Sequence, residues 1–147
     1  MKVQDCMTKS TISVKPSENI YQVAKIMGDN HIGCVPVCDN LGKVVGILTD
    51  RDILLRRVVC NKDANTTPIS DIMTTKVVRV SPDVEMNDVA DIMAKNQIRR
   101  IPVVIDEKVV GIVSFENLTQ DSNIGNQKLG DIIDKICDNT GKTYHNS

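Results

Sequence analysis

Apolar residues along the chain fall into two rhythms, and each rhythm occurs twice. Ile20, Val23, Ala24 and Met27 stand at i, i+3, i+4 and i+7; Met86, Val89, Ala90 and Met93 repeat that spacing, so each set predicts a helix with one apolar face. Each helix follows a short β-branched segment (residues 11–14 or 77–80), a proline, and a polar residue, Ser17 or Asp83, suited to cap the first turn. Next comes an apolar run interrupted by Pro36 or Pro102, whose missing N–H predicts an edge strand or a bulge. Turns at 39–42 and 105–107 lead into strands at 44–48 and 109–113, and a second helix is predicted to begin at Asp50 or Phe115. Leu129, Ile132, Ile133 and Ile136 supply one more helical face, a short closing helix, and residues 141–147 read as a frayed end.

The repetition is literal. At an offset of 66, residues 3–38 and 69–104 share thirteen identities without a gap, among them Met7/Met73, Thr8/Thr74, Ala24/Ala90 and Pro36/Pro102. After one deletion in the turn, Lys43-Val44-Val45-Gly46-Ile47 recurs unchanged as Lys108-Val109-Val110-Gly111-Ile112. Each copy therefore reads β-α-β-β-α, too small to cover both faces of its own sheet. Two copies packed sheet to sheet with pseudo-two-fold symmetry complete the burial. The expected fold class is α/β in the α+β sense, with repeat 1 at 1–60, a polar linker at 61–68, repeat 2 at 69–120, and the closing helix and polar tail at 121–147.

Composition narrows the function classes. A chain of 147 residues holds one ordinary domain or two small coupled ones, which excludes an enzyme with separate substrate and cofactor domains. Nineteen Val and seventeen Ile against six Leu favour strands over a helical bundle. Eighteen basic and nineteen acidic side chains, scattered in sign, leave no footprint for nucleic acid or an anionic membrane. With no Trp and only three aromatic residues, a stacking platform for single strands is excluded too. No segment has the apolar length of a signal peptide or a membrane span, so a cytoplasmic location is expected. Five irregularly spaced cysteines fit reduced thiols. The spacing His31-x2-Cys34-x3-Cys38 fails as a zinc site, because a strand would hold the two sulfurs about 13 Å apart. No metal is expected.

The order of strand, helix, Pro-interrupted strand, K-V-V-G-I strand and Thr or Ser before a helix resembles the cystathionine-β-synthase (CBS) domain, which occurs in tandem pairs called Bateman modules. The resemblance covers residues 3–120 and implies a ligand-sensing unit whose two clefts take adenosine derivatives. It implies a ribose-phosphate pattern of Gly, two apolar residues, Thr or Ser, two variable residues and Asp. Gly46-Ile47-Leu48-Thr49-Asp50-Arg51-Asp52 fits it throughout. Gly46 would let backbone approach the ligand, Thr49 would offer a hydroxyl at a helix N-terminus, and Asp52 would accept from vicinal ribose hydroxyls. The same Thr49-x-x-Asp52 spacing also makes a helix capping box that needs no ligand. In the second copy Ser114 is kept but Asn117 replaces the aspartate, so a weaker, unequal site is expected there.

By the same resemblance, Arg99 and Arg100 would meet the phosphates of the nucleotide held by the first repeat's aspartate; the competing reading is an alternating pair at a strand edge. Arg56 and Arg57 read as a solvated helix end near its carbonyl dipole. The adenine would lie among Thr11, Ile12, Val35 and Pro36 in one cleft and Val77, Val78, Ile101 and Pro102 in the other, positions that equally suit a plain core. The function implied is a stand-alone regulatory module binding AMP, ADP or ATP, with no required cofactor, acting as a homodimer or on an effector protein. A ligand-free dimerisation scaffold and an S-adenosylmethionine sensor are the alternatives. CBS pairs also occur inserted in inosine-monophosphate dehydrogenase, but nothing here supplies a (β/α)₈ barrel of about 250 residues. Neither His31 nor His145 has a partnered nucleophile, so no catalytic residue is expected.

Overall fold

The structure is a computed structural model that describes residues 1–9 and 12–138; Thr11, His145 and the segment 141–147 lie outside the described residues. In chain order the elements are α1 (Val3–Cys6), α2 (Ile20–Asp29), β1 (Cys34–Cys38), β2 (Val44–Thr49), α3 (Asp50–Asp52), α4 (Met86–Asn96), β3 (Arg100–Ile105), β4 (Lys108–Ser114), α5 (Phe115–Leu118) and α6 (Asn126–Asp138). A π-helical segment, Ile53–Val59, continues α3, and a 3₁₀ turn, Ile69–Asp71, opens the second repeat. The chain divides into two compact units. One holds residues 12–77 with 106–108, and the other holds the described parts of 1–11, 78–105 and 109–146.

In the unit of residues 12–77, β1 and β2 pair antiparallel with Cys34 opposite Thr49, and the register shifts between Val37 and Cys38. That irregularity falls one residue beyond Pro36, close to where the missing N–H predicted it. The expected first strand is reduced to a single parallel bridge. Val14 donates its N–H to the Pro36 carbonyl at 3.0 Å and accepts from Cys38 at 2.8 Å, and Pro16 follows two residues later with no donor to continue. Helix α2 begins at Ile20, and its cap is Asn19 rather than Ser17. The Asn19 side chain accepts from the Gln22 amide at 2.8 Å while Gln22 Oε1 accepts from the Asn19 amide at 3.2 Å. Ser17 is displaced because the Lys15–Glu18 turn closes around it, with the Lys15 amide donating to Glu18 Oε2 at 2.7 Å. Ile20, Val23 and Met27 then bury against Val14, Val35, Val37, Leu48, Ile69 and Ile72.

The other unit follows the same plan. Val80 makes the single parallel bridge, to Val103, and β3 joins β4 through Asp106 and Glu107, whose φ values of 52° and 69° give a tight hairpin turn. Helix α4 starts after Glu85, not Asp83; the Asp83 carboxylate instead accepts the Ser81 hydroxyl in the preceding turn. Gln97, at φ 56°, ends the helix in a left-handed conformation. Met86, Val89, Ala90 and Met93 face Ile101, Val103 and Val113, and Ile132 and Ile136 of the closing helix α6 complete this core. Each such side chain taken fully out of water contributes about 1.5–3 kcal/mol. The short helix α1 has no helical pattern in the sequence. It is fixed by backbone bonds from Val3 to Val84 and from Gln4 to Pro82, both 2.9 Å, which place Val3 and Cys6 in the core.

Candidate functional site

Strand β2 runs straight into helix α3, and Thr49 and Asp52 straddle that junction. The Thr49 amide donates to Asp52 Oδ2 at 3.0 Å, and the Asp52 amide donates to Thr49 Oγ1 at 3.1 Å. The capping-box geometry is therefore formed in full. Helix α3 is anchored from the other side by the Asp50 amide, which donates to the Gly33 carbonyl at 2.9 Å. Asp52 is only 12% exposed. The Thr74 hydroxyl reaches its two oxygens at 3.3 and 3.4 Å, and Arg56 Nε stands 4.0 Å from Oδ1. Burial pushes the Asp52 carboxyl above the ordinary aspartate value, against the opposing pull of the Thr49 amide, the Arg56 charge and the hydroxyls of Thr49 and Thr74.

Two of these partners, Thr74 and Arg56, were not assigned to the site from the sequence. Thr74 is held by reciprocal backbone bonds to Ile47, each 2.9 Å, so the segment after the 3₁₀ turn lies along β2. Arg56 is not a solvated helix end. It is half-buried, and its Nη1 donates to the Ile72 and Met73 carbonyls at 3.3 Å each while its Nε faces Asp52. Its place four residues after Asp52 was the legible signal, an i, i+4 acid–base pair. Arg57 likewise carries a buried Nε with no hydrogen-bond partner. Gly46 is also a packing residue. A Cβ there would lie 2.5 Å from Met73 Sδ, so the missing side chain makes room for the methionine. Gly111 does the same for Met7, with the Thr8 carbonyl also 2.8 Å from the position of a Cβ. The repeated Met-Thr and Gly-Ile pairs are thus two halves of one packing motif.

The second junction has the same backbone and other chemistry. The Ser114 amide donates to Asn117 Oδ1 at 2.8 Å and the Ser114 hydroxyl donates to the same oxygen at 3.0 Å, so the one acceptor of Asn117 is doubly engaged. Arg99 and Arg100 stand beside this junction, in the same unit as Ser114 and Asn117. The Phe115 amide donates to the Arg99 carbonyl at 2.7 Å, and Arg99 Nη2 lies 3.7 Å from Glu116 Oε1. The Glu116 backbone amide holds that carboxyl below the ordinary glutamate value, and the charges of Arg99 and Arg100 act in the same direction.

Of the residues expected to wall the adenine, Ile12, Val35, Pro36 and Val77 share a unit with Thr49 and Asp52, and Val78, Ile101 and Pro102 share the other with Ser114 and Asn117. Val35 and Ile101 are 0% exposed and belong to the two cores, whereas Ile12, Val77 and Val78 are half-buried. Cys34 and Cys38 are buried in β1, and burial pushes the Cys38 thiol above its ordinary value. Among the described residues no three His, Cys, Asp or Glu side chains gather to hold a metal ion. No helix among them is long and apolar enough to cross a membrane.

Comparison with known proteins places this geometry. The family model for the CBS domain matches twice, at residues 3–58 and 69–121. The chain is 35% identical over 134 residues to the CBS domain-containing protein YhcV of Bacillus subtilis, covering 91% of this chain and 94% of that protein. It is 31% identical over 118 residues to an inosine-5′-monophosphate dehydrogenase of Methanocaldococcus jannaschii, but covers only 23% of that enzyme and 80% of this chain. Among solved structures it is similar to the CBS domain pair of protein MJ0100 in complex with 5′-methylthioadenosine and S-adenosyl-L-methionine, with a TM-score of 0.75 and 35% identity over 82% of this chain and 94% of that one. It is similar as well to CBSX2 in complex with AMP, with a TM-score of 0.70 and 26% identity over 81% of this chain and 93% of that one. The doubled strand-to-helix junction, the doubled family match and the shared fold lead to one conclusion: the chain belongs to the CBS-domain family and carries two copies of the domain.

Proposed function

We propose that the protein is a regulatory module that binds an adenine nucleotide, AMP, ADP or ATP, at the strand-to-helix junction of its first repeat. The observation that carries this reading is the Asp52 carboxyl, 12% exposed and accepting from the Thr49 amide, beside the Thr49 hydroxyl where β2 runs into α3. A buried carboxylate costs stability unless something uses it, and its second lone pairs suit vicinal ribose hydroxyls. Of the apolar residues in the same unit, Ile12 and Val77 are open enough to meet the base, with Val35 supporting from beneath. Support also comes from the relatives solved with AMP and with 5′-methylthioadenosine and S-adenosyl-L-methionine. Occupancy is passed on through a homodimer or to an effector protein, and a ligand moves such an equilibrium only by its differential affinity for the two forms.

A second reading, a scaffold without ligand, is favoured by the fact that Thr49, Thr74 and Arg56 already engage both Asp52 oxygens. A thermal-shift panel of AMP, ADP, ATP, S-adenosylmethionine, NAD and GTP separates the two. At a hundred times its dissociation constant a true ligand adds about 2.7 kcal/mol of stability. The reading requires a shift with at least one adenine nucleotide and none with GTP. A flat panel favours the scaffold, and a shift with S-adenosylmethionine alone replaces the nucleotide with the sulfonium.

A further inference from the structure

We infer that Arg56 and Thr74 are positioning residues for Asp52, fixing the orientation of its carboxylate toward the ribose; this rests on the function proposed above. The geometry is specific. Arg56 spends its Nη1 on the carbonyls of Ile72 and Met73, which fixes the guanidinium plane and turns Nε toward Asp52 Oδ1 at 4.0 Å. The same two carbonyls precede Thr74, whose hydroxyl touches both carboxylate oxygens and whose backbone is tied to Ile47. One short segment, residues 72–74, thereby holds the arginine with its carbonyls and the aspartate with its hydroxyl. The carboxylate cannot rotate without losing the Thr49 amide, the Thr74 hydroxyl or the approach of Arg56.

The second repeat supplies the control within the same chain. At the offset of 65, Thr49 and Asp52 correspond to Ser114 and Asn117, and Arg56 corresponds to Asp121. The guanidinium is present where the carboxylate is present and is replaced by an acid where an amide stands instead. Asn117 needs no cation, since its neutral oxygen is satisfied by the Ser114 amide and hydroxyl. A purely structural arginine that only ties Ile72 and Met73 to the helix would have no reason to follow the charge at position 52. Among the groups packed on Asp52, Arg56 from its own helical segment supplies charge, and Thr49 and Thr74 from the neighbouring segments supply neutral donors. Burial opposes ionisation, and the Thr49 amide first, with the Arg56 charge after it, opposes burial.

The test uses the full chain and the variants R56M, R56K and T74V. The Asp52 carboxyl is titrated by carbon NMR without ligand, and AMP affinity is measured by calorimetry across the same pH range. The Asp52 midpoint is expected to rise in R56M and to return toward wild type in R56K. AMP affinity at neutral pH is expected to fall severalfold in R56M and in T74V, with R56K between R56M and wild type. An unchanged Asp52 midpoint in folded R56M overturns the inference, as does full AMP affinity in folded R56M and T74V. If the midpoint moves as expected but wild type binds no AMP, the positioning role stands and the proposed nucleotide site falls.

Discussion

Replacing Asp52 by asparagine separates what this residue does for the fold from what it does for a ligand. The second junction shows that an asparagine closes the same box, because Asn117 Oδ1 accepts from the Ser114 amide at 2.8 Å where Asp52 Oδ2 accepts from Thr49 at 3.0 Å. D52N therefore keeps the cap and removes a charge that is 12% exposed. It also forfeits the pairing with Arg56, which at 4.0 Å and 31% exposure is worth at most about 1 kcal/mol. The expected balance is neutral to about 1 kcal/mol stabilising, or up to about 2–4 °C in Tm. D52A also loses the bond from the Thr49 amide, the reciprocal half of the capping box, and is expected to cost about 1 kcal/mol.

The pH dependence follows from the raised carboxyl. A group whose folded value lies above its unfolded value of 3.8 takes up protons more readily in the folded chain. Wild type thus gives up stability as pH rises from 3.8 through the raised folded value, and D52N does not. Guanidinium unfolding of the three proteins at about pH 3 and about pH 7 is the assay, and the advantage of D52N over wild type must grow with pH. If D52N is as unstable as D52A at neutral pH, or if its advantage shrinks as pH rises, Asp52 is a structural ion-pair partner and the reasoning fails.

The glycines give a second prediction. G46A meets a flexible methionine and should cost about 1 kcal/mol, largely relieved in the double variant with M73A. G111A also meets the Thr8 carbonyl, which accepts from the Ile112 amide at 3.0 Å, so it should cost about 2–3 kcal/mol and resist rescue by M7A. Chemical denaturation of the four proteins reads both. N117D is the mirror of D52N: it places a carboxylate four residues before Asp121 instead of Arg56, and its stability should fall below wild type by a few tenths of a kcal/mol or more as pH rises to neutrality.

The chain repeats so closely that the duplicated hairpins, the helices at 20–29 and 86–96 and the closing helix could be read from spacing alone, because period and turn chemistry are local. The caps were missed for a local reason too: Ser17 and Asp83 are good capping residues already committed to the turns before the helices, whereas Asn19 with Gln22 three positions on was the available box. The first strands shrank to single bridges at Val14 and Val80, since β-branched composition cannot tell one backbone pairing from four. Thr49 and Asp52 were legible because a strand, a hydroxyl and an acid fall in fixed order. Thr74 and the packing of Met73 on Gly46 were not, because they meet β2 across more than twenty residues of chain and only packing brings them there.

The central claim is that Asp52 reads a ribose. Calorimetric titration of AMP and of 2′,3′-dideoxy-AMP into wild type and D52N tests it most directly. The account predicts that wild type binds AMP, that removing the ribose hydroxyls weakens binding by about 1.5–3 kcal/mol, and that D52N shows nearly the same weak affinity for both compounds. Equal binding of the two compounds by wild type, or full AMP affinity in a folded D52N, would contradict it.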